Sequence, residues 1–381
     1  SPADDHPSRQ GHSPAALREA GGERLVKVLI LSWRDRDHPD GGGSEVYVHE
    51  IARRLVERGH AVTIATSRPD AGPQRVVRDG VLYRRRGGRL TVYLHGLAAV
   101  LRTRRERDVV VDVINGLPFW SVLARRSGVV ALVHHVHREQ WQIIYPDWRG
   151  RFGWFIESAI TPRLYRAIPH IAVSESTRSD LEALGIAPES ISVVRNGLTS
   201  HPARPGGEAQ AGPRLIVVSR LVPHKQIEHI LLVARALRSE FPNLRVDIVG
   251  DGWWRAHLRE HSREWDLDDI VTFHGHVDDA QRDVLLAAAT VQLLPSVKEG
   301  WGLVVLEAAA QGTPTIGYRS SGGLRESVHD GVTGWLAEDL DDLVALTRSV
   351  LNGSLPLAAT SDAARAWAGT LDWDNSARAF E

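Results

Sequence analysis

The sequence contains no cysteine among its 381 residues. A disulfide framework and a thiolate metal site are therefore both excluded, and the composition fits a reducing cytoplasm. Methionine is absent as well. No apolar run approaches the roughly 18 residues that a membrane-spanning helix needs. The first 20 residues are polar and lack the apolar core of a secretion signal, so we expect a cytoplasmic protein.

The net charge is only −1, but the charge is unevenly distributed along the chain. Residues 1–200 hold 29 Lys and Arg against 22 Asp and Glu, a net +7, whereas residues 201–381 hold 17 against 25, a net −8. A basic half could meet an anionic acceptor or a membrane surface, and a solvated arginine-rich surface explains the excess equally well. The basic clusters lack interleaved aromatic residues, so no nucleic-acid partner is expected. The clustered arginines are Arg84, Arg85, Arg86, Arg89, Arg102, Arg104, Arg105 and Arg107.

Alternating strand and helix patterns predict an α/β fold with two Rossmann-like, doubly wound domains. The apolar strand Leu25–Ser32, a glycine loop, a helix over Glu45–Glu57 and a strand over Ala61–Thr66 form a βαβ unit. The same rhythm restarts after a stretch rich in Pro and Gly. We therefore expect a disordered tail at 1–22, a first domain at 23–198, a linker at 199–213, a second domain at 214–365 and a final segment at 366–381.

Two glutamates flank a glycine-rich turn in the second domain. The apolar run Val291–Leu294 predicts a buried strand, and Gly300 and Gly302 then allow a tight turn into a helix. Glu299 precedes that helix and Glu307 lies inside it. A helix N-terminus beside glycines favours phosphate, and carboxylates accept hydrogen bonds from sugar hydroxyls. The stretch therefore indicates a nucleotide-sugar site, and a surface loop with solvated glutamates is the ordinary alternative.

Other strand ends carry groups suited to the same ligand. Arg220 and Lys225 follow the first strand of the second domain, where two cations can neutralise a pyrophosphate, although an exposed loop with ordinary charges is the simpler reading. Turns at Gly250 and Gly275 can hold a base by backbone hydrogen bonds or can simply give tight geometry. The Gly41–Ser44 loop follows the first strand of the chain. Its glycines lack the dinucleotide fingerprint spacing, so no nicotinamide cofactor is expected.

Three histidines, His134, His135 and His137, follow a buried strand of the first domain. Histidines at the carboxyl end of a strand suit a cleft, either as a hydrogen-bond donor to a sugar or in positioning an acceptor. They also raise the possibility of a metal site, but a carboxylate or a third ligand is not evident in the sequence. We therefore expect no metal.

Together these motifs resemble the family-4 retaining glycosyltransferases (glycosyl transferases group 1) of the GT-B architecture. The resemblance extends from about Leu25 to Trp335. Its most specific part is the glutamate pair in the Glu-Gly-Trp-Gly-Leu stretch. It rests on Gly41–Glu45, Ser174-Glu175, Asn196-Gly197, Ser219–Lys225, Gly250-Asp251-Gly252, Gly275-His276-Val277, Glu299 and Glu307.

The resemblance implies a role for each matching residue. Glu299 would contact hydroxyls of the donor sugar, Glu307 would accept from the ribose, and Arg220 with Lys225 would bind the diphosphate. His134 would lie beside the donor sugar, completing the catalytic group with Glu299, Arg220 and Lys225. The other implied donor-binding residues are Gly42, Gly43, Gly250, Gly275, His276, Val277, Gly300, Trp301, Gly302 and Leu303. The implied acceptor-side residues are Ser44, His135, which could also replace His134, and Asn196.

The resemblance also implies the reaction, which is transfer of a hexosyl group from a nucleotide-diphosphate sugar to an acceptor hydroxyl with retention of configuration. Neither a cofactor nor a metal would be needed. The first domain would hold the acceptor, the second would hold the donor, and residues 366–381 would begin a helix that returns to the first domain. A lipid, a polysaccharide and a small natural product all remain open as acceptors. The protein would be cytoplasmic, with possible peripheral contact with the inner face of the membrane through its basic first domain.

Three alternatives share the two-domain fold. A nucleotide-sugar epimerase would consume donor without an acceptor. A phosphorylase would need a pyridoxal-bound lysine, for which the sequence offers no candidate. A non-catalytic nucleotide- or glycan-binding relative would be expected to lose Glu299, Arg220 or Lys225, and all three are present.

Overall fold

A computed structural model of the protein describes residues 25–38, 41–69, 72–199 and 212–381. The tail expected at 1–22 lies outside these residues, and so does the linker expected at 199–213, apart from residues 199, 212 and 213. Within the described residues the chain forms two separate parallel sheets flanked by helices, which confirms the expected α/β fold.

The first sheet has eight strands in the order β3-β4-β2-β1-β5-β6-β7-β8. All neighbours pair in parallel except β3 and β4. The strands are β1 (Lys27–Leu31), β2 (Ala61–Thr66), β3 (Arg75–Arg78), β4 (Val81–Arg85), β5 (Val109–Ile114), β6 (Val129–Val133), β7 (His170–Ala172) and β8 (Ile191–Val193).

The hairpin of β3 and β4 was not anticipated from the sequence. Its turn consists of Asp79 and Gly80, both with positive φ, at 50° and 76°. An Asp-Gly pair of this kind is a known signal for a tight antiparallel turn. The hairpin extends the sheet at one edge, where β4 pairs in parallel with β2.

Seven helices accompany the first sheet in the described residues. They are α1 (Gly43–Glu57), α2 (Thr91–Thr103), α3 (Ser121–Ala124), α4 (Arg138–Ile144), α5 (Trp148–Phe155), α6 (Thr161–Tyr165) and α7 (Glu175–Ala183). The helical pattern of residues 151–166 predicts a single helix, but in the structure α5 starts earlier, at the Asp147 cap, and joins α6 through a π-helical turn at Ile156–Ile160. Pro162 in the first turn of α6 has no N–H to donate, so the regular bonding of one α-helix cannot run through it.

The second sheet is entirely parallel, with the order β11-β10-β9-β12-β13-β14. Its strands are β9 (Arg214–Val218), β10 (Arg245–Val249), β11 (Val271–Gly275), β12 (Val291–Leu294), β13 (Thr315–Tyr318) and β14 (Gly334–Ala337). Its helices are α8 (Ile227–Leu237), α9 (Arg255–Glu264), α10 (Asp279–Ala288), α11 (Leu303–Ala310), α12 (Leu324–Ser327), α13 (Leu340–Leu351) and α14 (Leu357–Ala368). No described helix is both long and apolar enough to cross a membrane.

The last helix, α15 (Trp373–Phe380), lies on the first half of the molecule and packs against α1. Trp373 is only 1% exposed and meets the Tyr47 ring edge-on, with 5.6 Å between centroids. At the point where the chain leaves and re-enters this half, the two segments lie side by side, because the Leu198 N–H donates to the Leu371 carbonyl at 3.0 Å. A Cβ on Gly197 would lie 2.2 Å from the Trp373 nitrogen, so only glycine allows this approach.

The two halves also share an apolar core. Trp301 and Leu306, from the second half, are buried in the same cluster as Tyr47, Val173 and Trp373. The indole of Trp301, in the middle of the glycine-rich stretch, is therefore a packing group.

Candidate active site

Lys225 and Glu299 meet at the carboxyl edge of the second sheet. Lys225 ends a 3-10 turn (Pro223–Lys225) after β9, and Glu299 lies in the loop after the adjacent strand β12. Lys225 Nζ lies 2.5 Å from Glu299 Oε1, and each side chain is 13% exposed. Ser296 Oγ donates to the same carboxylate oxygen at 2.7 Å. The sequence analysis predicted that these two residues belong to one site. In the structure their side chains are in direct contact.

The loop of Glu299 is fixed by its backbone. The Glu299 N–H donates to the Ser321 carbonyl, and the Gly323 N–H donates to the Glu299 carbonyl, both at 3.0 Å. Gly302 has φ of +86° and starts α11, a conformation that favours glycine. These contacts fix the position of Glu299, and the N-terminus of α11 follows three residues later.

Glu307, on α11, contacts a cation that the sequence had not singled out. Arg282 Nη1, from α10, donates to Glu307 Oε1 at 3.0 Å, and both side chains are mostly buried. Asp283 holds the other side of the same guanidinium at 2.9 Å. A ribose hydroxyl bound to Glu307 would thus meet a carboxylate that is already oriented by Arg282.

Across the cleft, the glycine loop of the first half faces Arg220. A Cβ on Gly42 would lie 3.6 Å from Arg220 Nε, and a Cβ on Gly43 would lie 3.7 Å from the Leu303 Cβ. The loop before α1 and the first turn of α11 are therefore in contact. Ser44 follows within the first turn of α1, on the same side.

Glu45 joins the glycine loop to two arginines, and the sequence had given it no role. Its buried carboxylate accepts from the Gly42 N–H at 2.6 Å and lies 3.3 Å from the Arg34 guanidinium. Burial alone would raise the pKa of Glu45, but the positive charges of Arg34 and Arg220 lower it below its usual value. Its position three residues after Gly42 matches the glutamate of a capping box, which is the signal that could have identified it.

His134 is buried against α1, the helix that follows the glycine loop. Its ring meets Tyr47 edge-on, with centroids 5.2 Å apart, and no described residue bonds its Nε2. Burial lowers the pKa of His134 to about 4, so the imidazole is neutral at neutral pH. Its carbonyl accepts from Thr177 Oγ1 at 2.9 Å and lies so near Gly300 that a Cβ there would be 2.2 Å away. The backbones of the two halves thus touch at His134.

The other two histidines take different partners. His135 Nε2 bonds Gln140 Oε1 at 3.1 Å, and its pKa is lowered well below the usual value, first by burial and then by nearby His137. His137 bonds Glu157 Oε1 through Nδ1 at 3.1 Å and Asn115 Oδ1 through Nε2 at 2.8 Å. No group of three or more His, Asp and Glu among the described residues could hold a metal ion.

His224 is a fourth histidine at the cleft, within the quoted Ser219–Lys225 motif. It is 5% exposed, and burial, aided by the charges of Lys225 and Arg220, lowers its pKa to about 3. Its carbonyl accepts from the Val297 N–H at 3.0 Å, which ties the turn of Lys225 to the loop of Glu299.

The remaining predicted residues lie at other strand ends and at the chain crossing. Gly250, with φ of +123°, packs so closely on β9 that a Cβ would lie 1.9 Å from the Ser219 carbonyl oxygen, and its N–H donates to the Gly275 carbonyl. His276 is exposed and Val277 half-buried after β11, the edge strand. Asn196 is buried and directly precedes Gly197, at the chain crossing.

Two sets of polar contacts between the halves lie near Glu299. Glu326, at α12, accepts from the Glu175 and Ser176 N–H groups at 3.0 and 2.8 Å, so it caps α7 from the opposite domain. Lys298, next to Glu299, lies 2.7 Å from an oxygen of Asp180. The loop of Glu299 is therefore held by both halves.

Two family models match this chain. "Glycosyl transferases group 1" matches residues 204–367, and "Glycosyltransferase Family 4" matches residues 41–201. The chain is 33% identical to a glycogen synthase of Mycobacterium tuberculosis, over 93% of each protein. It is 28% identical to the MMP alpha-(1->4)-mannosyltransferase of Mycolicibacterium hassiacum, over 89% of this chain and 93% of the relative. It is 29% identical to a D-inositol 3-phosphate glycosyltransferase of Thermobispora bispora, over 92% of each.

Solved structures share the fold. A sucrose-phosphate synthase from Thermosynechococcus elongatus has a TM-score of 0.78 at 21% identity, covering 93% of this chain and 96% of that one. Anabaena HepE in complex with UDP and glucose has a TM-score of 0.73 at 18% identity, covering 93% and 97%. These neighbours are GT-B glycosyltransferases, with two parallel-sheet domains facing a cleft. The chain therefore belongs to the group 1, family 4 glycosyltransferases of the GT-B fold.

Proposed function

We propose that the protein moves a hexosyl group from a nucleoside-diphosphate sugar to an acceptor hydroxyl with retention of anomeric configuration. The observation that carries the proposal is the contact of Lys225 with Glu299, together with the approach of Gly42 to Arg220 and of Gly43 to Leu303 between the two halves. The ammonium group of Lys225 can bind phosphate, and the carboxylate of Glu299 can bind sugar hydroxyls. The two groups lie within hydrogen-bonding distance of each other. Anabaena HepE, a structural neighbour, has been solved with UDP-glucose, which supports this class of donor.

In the proposed complex the diphosphate lies between Lys225, Arg220 and the N-terminus of α11. Fixed positive charge there stabilises the negative charge that grows on the diphosphate as the sugar bond breaks. Glu299 accepts from the sugar hydroxyls, and Glu307 accepts from the ribose. The backbone N–H groups of the glycine loop line the phosphates from the first half.

The acceptor oxygen attacks from the face that the diphosphate leaves, so configuration is retained. Its proton passes to an oxygen of the departing phosphate. His134, neutral at neutral pH, hydrogen-bonds the donor sugar, while Ser44, His135 and Asn196 lie on the acceptor side. Neither a metal nor a cofactor takes part, and transfer is expected to persist in excess EDTA.

The donor can be identified before the acceptor is known. A thermal-shift screen of nucleoside diphosphates and their sugars ranks donors, because a ligand that binds the folded state raises the melting temperature. The product of the preferred donor is then examined by NMR, and an inverted anomeric centre would contradict the proposal. Consumption of the donor without any acceptor, giving an isomeric nucleotide-sugar, would instead favour an epimerase.

We place the protein in the cytoplasm, with peripheral contact between its basic first half and the inner face of the membrane. The support for this contact is the net charge of +7 over residues 1–200. Anionic lipid attracts clustered Arg and Lys near a membrane surface. Cell fractionation that leaves the protein wholly in the cleared cytosol at low salt would argue against the membrane contact.

A further inference from the structure

Helix α5 presents three aromatic side chains to solvent. Trp148, Phe152 and Phe155 are 64%, 54% and 53% exposed. Their spacing of four and three residues places them on one side of the helix, and the Trp148 and Phe152 rings lie 6.5 Å apart. Large aromatic residues clustered at a surface mark an interaction site more often than isolated exposed ones do. We refer to these three residues as the aromatic face.

The exposure of the aromatic face is built into the packing of α5. On the opposite side of the helix, a Cβ on Gly153 would lie 2.5 Å from the Trp141 ring, and a Cβ on Gly150 would lie 2.1 Å from the Tyr145 carbonyl oxygen. The Trp141 indole in turn donates to buried Glu157 at 2.5 Å. Because the glycine side fits closely against Trp141, α5 cannot rotate to bury its aromatic side chains.

Further apolar residues adjoin the aromatic face. Ile143 and Ile144, each 37% exposed, end the preceding helix α4. The turn between α4 and α5 also meets the start of α2, because Arg89 hydrogen-bonds the Tyr145 hydroxyl. The next residue, Leu90, is 74% exposed. Exposed apolar residues therefore flank both segments that meet at Tyr145.

Several arginines lie beside this surface, and one of them, Arg149, is 3.1 Å from the exposed carboxylate of Asp147. Exposed Arg149 and Arg151 lie on α5 itself, and exposed Arg163 lies on α6. Within residues 84–107, Arg89 contacts Tyr145 beside this surface, whereas Arg85 is buried against Asp35 and the arginines at 102–107 lie at the opposite end of α2. Exposed aromatic side chains bordered by arginines match the amphipathic helices that lie in the headgroup region of anionic bilayers.

We propose that the aromatic face docks on a bilayer that contains anionic lipid. The inference rests on the membrane contact suggested above for the first half, and it names the surface and the lipid class. Helix α4 also packs against the turn that carries Lys225, so the docked surface adjoins the cleft. An acceptor hydroxyl held at the membrane surface would then have a short path to the donor.

Vesicle flotation tests the proposal, with vesicles of phosphatidylcholine alone and of phosphatidylcholine mixed with phosphatidylglycerol. The unmodified protein is expected to float with the mixed vesicles and to remain unbound with phosphatidylcholine alone. Replacing Trp148, Phe152 and Phe155 together by Ser is expected to weaken binding about tenfold or more, because each ring would lose apolar burial. The matched control is Trp253→Ser, since Trp253 is 65% exposed but lies in the second half.

A second pair of variants tests the charge. Arg149→Gln combined with Arg151→Gln is expected to weaken binding and to reduce its sensitivity to salt. Melting temperatures and UDP-glucose thermal shifts check that each variant is folded, and Phe152→Ser alone replaces the triple variant if that one does not fold. Loss of flotation with an unchanged donor shift would separate this surface from the transfer site.

Several outcomes would overturn the inference. One is that the unmodified protein does not bind vesicles that contain phosphatidylglycerol. Another is that the triple variant floats with these vesicles as well as the unmodified protein does. Equal binding to phosphatidylcholine alone would refute the anionic requirement. A dimer in light scattering that the triple variant converts to a monomer, with flotation unchanged, would assign the aromatic face to a second copy of the chain.

Discussion

Lys225 Nζ and Glu299 Oε1 lie 2.5 Å apart although 74 residues separate them in sequence. They meet because β9 and β12 are neighbours in a parallel sheet, whose strands all end at the same edge. With 13% of each side chain exposed, either partner alone would be a poorly solvated charge. A bound diphosphate and sugar would therefore take over contacts that these two residues make with each other.

Replacing either member of this pair should remove most of the activity. We expect Glu299→Ala and Lys225→Ala each to lower kcat by about a hundredfold or more, as for other groups that stabilise charge in the transition state. The measurement is steady-state transfer with the donor identified by thermal shift. Glu240→Ala is the control, because Glu240 forms an exposed pair with Arg348. Near-normal transfer by Glu299→Ala or Lys225→Ala would show that the site is misplaced.

Glu45→Gln should impair the enzyme without touching the donor directly. The change removes the charge that faces Arg34 and Arg220, so we expect kcat/KM to fall about tenfold, equivalent to about 1.4 kcal/mol. In a variant that combines Glu45→Gln with Arg220→Ala, kcat/KM should be little lower than in Arg220→Ala alone. The two residues would act through one contact, so their effects should not add. Glu57→Gln, on the exposed part of the same helix, should be neutral. Independent, additive losses would refute the positioning role.

The buried histidines predict a loss of stability in weak acid. Burial lowers the pKa values of His134 and His224 to about 4 and about 3, against about 6.5 in the unfolded chain. Below about pH 6.5 the unfolded chain binds more protons, so each histidine can reduce stability by up to about 1.4 kcal/mol per pH unit as the pH falls toward 4. Urea unfolding across this range should be less steeply pH-dependent in His224→Gln. Exposed His95→Gln should leave the slope unchanged, and equal slopes in all three proteins would contradict the prediction.

Gly300→Ala should force the two halves apart. Its Cβ would lie 2.2 Å from the His134 carbonyl oxygen, so either the loop of Glu299 or the backbone after β6 must move. We expect a cost of about 1–3 kcal/mol to the closed arrangement, seen as a higher KM for the donor and a larger radius of gyration in X-ray scattering. Gly88→Ala is the control, because its Cβ would meet no atom within 4 Å. A variant as active and compact as the control would show that closure does not depend on this contact.

The sequence was sufficient to predict the two sheets and the loops at their edges. Apolar strands separated by helical periodicity define parallel sheets, and glycine marks the turns after them, so local pattern was enough to place Lys225 and Glu299 at strand ends. The roles predicted for them came from the family resemblance. That the two touch depended on strand order, which local pattern does not contain. The β3–β4 hairpin was overlooked even though its Asp79-Gly80 turn is a local signal.

Partners that come from distant segments could not be predicted. Arg282 belongs to α10 and Arg34 follows β1, and only the folded chain sets the first beside Glu307 and the second beside Glu45. The three histidines after β6 looked equivalent in sequence. Their roles separate because Glu157, on a π-helical turn, holds His137, while His134 is turned inward against Tyr47.

The polypeptide passes between the two halves twice, and the two passages lie side by side where Leu198 bonds Leu371. If one half rotated relative to the other about this crossing, atoms close to the crossing would move little, and the displacement would grow with distance from it. A rotation of a few degrees there would therefore leave the Gly197–Trp373 contact almost intact, while it would alter more distant contacts between the halves, such as that of Gly42 with Arg220, much more.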